Sequence, residues 1–152
     1  MKKFAFMMMP LLSAFLFAGF DDSAPEAESI VVIVNNDNPV GSLTAGEVKL
    51  YYTRKIKKRW TELKKNIRPA DRKNKCPERD MFYFSVLGMK DNEVEEYFTN
   101  KQLQNAERPQ DKFASETEMI DFVSEERGAI GFIKASSVTP EVRARVKVVL
   151  TL

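Results

Sequence analysis

The chain of 152 residues carries 24 Lys plus Arg against 22 Asp plus Glu, has no His and holds a single Cys. That length suits one domain, and 43% hydrophobic with 30% charged residues is an ordinary globular balance, which excludes disordered and fibrous classes. One Cys permits no internal disulfide or Cys-based zinc site, and the missing His removes Ser-His-Asp, Cys-His and HExxH chemistry, so no catalytic residue, metal or cofactor is expected.

Residues 1–20 place Lys2 and Lys3 before an apolar run from Phe4 to Phe20, broken by Pro10, Ser13 and Gly19. This is the layout of a secretory signal peptide, with cleavage expected near residues 18–24 after Ala18 or Ala24 and an uncleaved anchor as the rival reading. Phe20 stands where a lipoprotein would need its modified Cys, so the expectation is a soluble, exported, periplasmic protein and not a lipoprotein. Removing residues 1–20 removes two Lys and no acid, leaving 22 basic against 22 acidic side chains. The apparent basicity belongs to the signal, and with export it argues against a nucleic-acid partner.

A polar linker over 21–29 leads to a single domain over 30–152. Ile30 to Val34 is a β-branched run that reads as a strand buried on both faces. Thr44 followed by Glu47 is a capping box, with Val48, Tyr51 and Tyr52 at helical spacing up to about Arg54. Ile67 and Pro69 suggest a brief extended piece. Pro77 opens a helix carrying Met81, Phe82, Phe84, Val86 and Leu87 and ending at Gly88. Asp91 is placed to cap the next helix, whose inner face holds Val94, Tyr97 and Phe98. Ser115 with Glu118 is a second capping box before Met119, Ile120, Phe122 and Val123. Ala129 to Ile133 reads as a strand, Thr139-Pro140 as a short turn, and Val146 to Leu150 as a last strand. Strands separated by helices predict an α/β domain: a single open sheet with helices on both faces.

Several segments, in order, resemble one lobe of the type II periplasmic binding proteins, specifically the phosphate-binding subunits of ABC importers. Leu43 to Ile56 with Trp60 is similar to that family's LT-x-x-(E/Q) stretch running on to G-K-I-x-x-W, and Arg127 to Ile133 resembles its GAIGYV. Cys76 to Phe82 stands where the family has Ser-Gly-Thr-Arg-x-x-Phe at a helix start. The resemblance implies ligand contacts at Cys76, Glu78 and Arg79. A helix start binds phosphate through free N–H groups and nearby hydroxyls. In this chain Cys76 replaces the Ser, Pro77 brings no N–H and Glu78 brings a carboxylate, while Arg79 and Phe82 keep the pattern.

Charge is strongly separated along the chain. From Thr44 to Arg79 thirteen Lys or Arg face four acids, and from Asp91 to Glu126 eleven acids face three bases. Arg54, Lys55, Lys57, Lys58 and Arg59 form a basic patch that could attract phosphate, a phospholipid headgroup or a polysaccharide, or could simply be solvated. Cys76, at a helix start, is expected to have a lowered thiol pKa and to be either a redox or bridging residue or a partly buried thiol without a role.

The resemblance therefore implies an exported, non-enzymatic substrate-binding-like protein of a phosphate-type ABC system. It would bind phosphate or a related oxyanion weakly or as an accessory, with an ABC permease as partner and a homodimer as one way to complete a cleft. The alternative expectation is an interaction module that has kept the lobe, lost the ligand, and docks an envelope protein or polymer through its charged faces.

Overall fold

The computed structural model describes residues 28–54, 59–105 and 110–152. The expected signal peptide, most of the linker and the patch residues Lys55, Lys57 and Lys58 lie outside the described residues. Five strands, β1 (Ile30–Asn35), β2 (Arg68–Arg72), β3 (Asp111–Phe113), β4 (Ala129–Lys134) and β5 (Val146–Thr151), form one open sheet in the order β3-β2-β4-β1-β5. β2 runs parallel to β3 and β4, whereas β1 is antiparallel to both of its neighbours, β4 and β5. The sheet is mixed, as an α/β lobe with one reversed central strand must be.

β1 is buried along its whole length because it sits between two strands and beneath helices on both sides. Its β-branched side chains suit that two-sided environment. The alternation of β4 shows how the faces are shared. Gly131 turns to α4 (Glu116–Glu125), where an added Cβ would stand 3.0 Å from Met119 Sδ. Phe132 turns to the opposite face and stacks on Phe82 of α2 (Pro77–Phe82), with centroids 4.2 Å apart and planes 6° from parallel. Such a pair adds about 1 kcal/mol to the apolar area that it buries. Tyr52 of α1 (Ala45–Thr53) closes this second layer: its hydroxyl donates to the carbonyls of Ala70 (2.8 Å) and Ile130 (3.2 Å), tying β2 to β4.

The local signals decide the helix ends. Glu47 N–H donates to Thr44 Oγ1 while Thr44 N–H donates to Glu47 Oε2, a complete capping box, and Arg54 ends α1 in the left-handed region at φ 50°. At the second box Ser115 Oγ accepts from Glu118 N–H, but the Glu118 carboxylate reaches one residue further back, to Ala114 N–H.

Three expectations are corrected. The helix from Pro77 does not continue in α-form to Gly88: after Phe82 it widens into a π turn over Tyr83–Leu87, which rotates Phe84 outward to 82% exposure while Val86 and Leu87 stay buried. Asp91 does not cap α3 (Asp91–Asn105). It is the first helical residue, Lys90 N–H takes Glu93 Oε2, and the Asp91 carboxylate is drawn to Arg79. The brief extended piece expected around Ile67 and Pro69 is present, as β2. Thr139 starts a helix, α5 (Pro140–Arg145), with its side chain accepting from Val142 N–H.

Candidate functional site: the start of α2

β2 ends at Arg72, a short turn follows, and α2 begins at Pro77 with Cys76 as its N-cap. Phe113 C=O anchors the turn by accepting from Lys73 N–H at 2.8 Å, which holds it against β3. The structure thus brings four residues together: Arg72, Cys76, Glu78 and Arg79. Three of them were identified from sequence. Arg72 was missed, although a cation at the last residue of a strand, five positions before a helix start, is a readable signal.

Glu78 and Arg72 form an ion pair of 2.6 Å with side chains only 5% and 11% exposed. Arg72 Nη2 also donates to Ala114 C=O at 3.2 Å, while its Nε is buried and finds no acceptor among the described residues. The carboxylate that departs from the Ser-Gly-Thr pattern therefore sits on a guanidinium at the helix start. Glu78 supplies from inside the chain the negative charge that a bound oxyanion would otherwise bring.

Arg79 is neutralised in the same way. Its Nε donates to Tyr83 Oη at 3.0 Å and its Nη2 to Asp91 at 2.5 Å, with Glu95 at 3.5 Å, and the guanidinium lies 5.1 Å from the Tyr83 ring centroid. Tyr83 in turn donates to Asp71 Oδ2 at 2.5 Å, and Arg72 N–H donates to Asp71 Oδ1 at 2.8 Å. Burial raises the Asp71 carboxyl above its ordinary pKa, offset in part by these two donors and by the charges of Arg79 and Lys112. Burial and the neighbouring Asp71 push the Tyr83 hydroxyl well above its ordinary value, so it remains a donor.

Cys76 makes no side-chain capping bond. Its expected low pKa is corrected: burial pushes the thiol upward, Glu78 adds to the effect, and the Arg79 N–H and the Arg72 guanidinium offset only part of it. A helix of six residues starting with Pro offers few free N–H groups, and the adjacent carboxylate opposes the thiolate.

The basic patch is not part of this arrangement. Arg54 lies beside Asn66–Pro69, at the other end of β2, and Arg59 donates to Lys64 C=O while its backbone bridges Asn66. Among the described residues no group of three or more Cys, Asp or Glu side chains is placed to hold a metal ion, and no helix is long and apolar enough to cross a membrane.

No family profile matches the chain, and no curated protein sequence does. Among solved structures it is similar to an ABC-type phosphate transport receptor from Vibrio cholerae, with a TM-score of 0.59 and 21% identity over 81% of this chain and 46% of that one. It is also similar to a Clostridium perfringens protein described as a phosphate ABC transporter substrate-binding protein and solved with bound phosphate, with a TM-score of 0.56 and 28% identity over 82% and 46%. A third likeness, to PstS from Borrelia burgdorferi, has a TM-score of 0.62 at 12% identity over 80% and 46%. The chain has the fold of these phosphate-binding proteins and spans less than half of their length, the extent of a single lobe.

Proposed function

We propose that this protein is an exported, periplasmic, soluble substrate-binding-like component of a phosphate-type ABC system that takes phosphate or a related oxyanion weakly, at the start of α2, and has no catalytic role. The observation that carries the reading is that two largely buried arginines flank that helix start, Arg72 at the end of β2 and Arg79 as the third residue of α2, on a fold whose neighbours are named as phosphate-binding proteins. Two guanidiniums suit a tetrahedral oxyanion, which each can engage with paired N–H donors.

Weakness follows from the same geometry. An arriving oxyanion meets Glu78 already seated on Arg72 and must displace it, while Pro77 donates nothing and Cys76 replaces a hydroxyl with a thiol. A single lobe also leaves one side of the anion in water, where charge-assisted bonds are worth less. Docking on a permease, or pairing with a second copy, would supply the missing side.

Titration calorimetry of the exported form with phosphate and sulfate tests the proposal. Heat saturating in the millimolar range, with a matching rise in melting temperature, is the expected result. No heat and no change in melting temperature at those concentrations would sink it. The buried Arg72–Glu78 pair also favours a second reading, in which the lobe no longer takes a ligand and docks an envelope partner. On that reading replacement of Glu78 and Pro77 by Thr and Gly leaves the biological role intact.

A further inference from the structure

We infer that a cavity at the N-terminal end of β2 is a second ligand site, built for a small monocarboxylate with a compact apolar body. The cavity has a volume of about 150 Å³ and lies between the Asn66–Pro69 segment and the C-terminal half of α3. It is separate from the start of α2, which follows the other end of the strand, so the inference stands or falls independently of the oxyanion reading.

The walls have two characters. Ile67, Pro69 and Phe98 supply an apolar surface, and a cavity on the order of 150 Å³ holds a benzene-sized molecule. Arg54 and Lys101 supply positive charge from the end of α1 and from α3. The lining has a single carboxylate among the described residues, Asp111, and Arg68, which also lines the cavity, pairs with it at 3.1 Å while reaching Glu126 at 2.6 Å and lying 4.8 Å over the Phe122 ring. The cavity therefore joins an apolar wall to the cations Arg54 and Lys101, with Asn66, Gln102 and Gln110 as neutral polar groups and the Arg68–Asp111 pair at its edge.

One of the buried donors without an acceptor belongs to a residue that lines the cavity. Arg54 Nε is buried and finds no acceptor among the described residues, and a buried donor left unpaired is costly. Arg54 is held there in the left-handed region at φ 50°, a conformation that α1 needs in order to end, and Lys101 Nζ donates to its carbonyl at 3.1 Å. A carboxylate drawn in by the two cations gives that donor an acceptor after a small shift of the Arg54 side chain, while an aryl or short alkyl body covers Phe98 and Ile67. The carboxamides of Gln102 and Gln110 remain for a further polar group on the ligand. Phosphate fits poorly, because it has nothing to place against the apolar wall.

Benzoate is the probe. With the isotope-labelled full chain, titration is expected to shift the backbone amides of residues 66–68 and 98–102 with a dissociation constant of about 1 mM or tighter. Benzamide, equal in shape but uncharged, is expected to bind at least about tenfold more weakly, and Arg54→Gln and Lys101→Gln each to lower benzoate affinity by about tenfold with unchanged melting temperature. Phosphate at equal concentration is expected not to displace benzoate. Absence of shifts at about tenfold above that concentration, equal binding of benzamide, displacement by phosphate, or full affinity in both variants overturns the assignment. If Arg54→Gln fails to fold, Lys101→Gln alone decides.

Discussion

Glu78 Oε1 lies 2.6 Å from Arg72 Nη1, so an internal carboxylate occupies the guanidinium at the start of α2. The pair links the end of β2 to the first turn of the helix, at the place where the phosphate-binding resemblance would seat an anion.

Removing one partner of so buried a pair leaves an uncompensated charge. Glu78→Ala is therefore expected to cost about 3 to 5 kcal/mol, seen as a lower urea midpoint. Glu78→Thr opens the same guanidinium but adds a hydroxyl, and phosphate in the millimolar range is expected to raise its melting temperature more than that of the parent chain. An equal rise in both proteins would show that Glu78 does not compete with the anion.

Asp71 makes stability depend on pH with an unusual sign. Its folded pKa is raised, chiefly by burial, so the folded chain holds this proton more tightly than the unfolded chain. The contribution is fully present below the ordinary Asp value of about 3.9 and is lost as pH rises through the raised value. Glu126 opposes it: although partial burial alone would raise its pKa, Gly128 N–H and Arg68 hold it below the ordinary value, so its contribution is lost on acidification. Urea unfolding of the parent chain and Asp71→Asn across a pH series should show the parent losing ground to the variant as pH rises from about 4. A constant difference would count against the assignment.

The raised thiol pKa of Cys76 gives a kinetic expectation. At neutral pH the thiol should react with a disulfide reagent more slowly than a free cysteine in the unfolded chain, and Glu78→Gln should accelerate it by removing the adjacent charge. The rate followed against pH checks this, and a parent rate equal to the unfolded one would contradict it.

Gly128 is required by space, not by a left-handed turn. A Cβ there would stand 2.2 Å from the Asn66 carbonyl oxygen, and the Gly128 carbonyl accepts from both Trp60 Nε1 and Arg68 N–H at 2.9 Å. Gly128→Ala is expected to destabilise by about 3 kcal/mol or more, because only backbone movement relieves the clash. Gly41→Ala, with nothing within 4 Å of its added Cβ, should stay within about 0.5 kcal/mol in the same denaturant titration.

Much of this protein is legible in its local chemistry. The β-branched run of β1, the Thr44–Glu47 box and Pro77 at a helix start are each read from neighbours within a few residues, and each stands in the structure where its chemistry requires. The order of those segments also carried the likeness to phosphate-binding lobes. The π turn that exposes Phe84 was not legible, since helical periodicity alone assumes a constant pitch. Nor was the three-residue β3, whose polar Asp111–Lys112–Phe113 stretch forms a strand only because β2 presents an edge.

At the candidate site the division is sharper. The sequence by itself determined which groups stand at the start of α2: a thiol, a proline and a carboxylate in place of the Ser, Gly and Thr of the resemblance, followed by an arginine that keeps its pattern. Only the tertiary structure decided what they do to one another, because the electrostatic state of each depends on partners far along the chain. Arg72 comes from a strand and takes Glu78, Arg79 takes Asp91 from the next helix, and burial by neighbouring elements raises Asp71 and Cys76. Charge neutralisation and desolvation act through space, and no local pattern of residues encodes them.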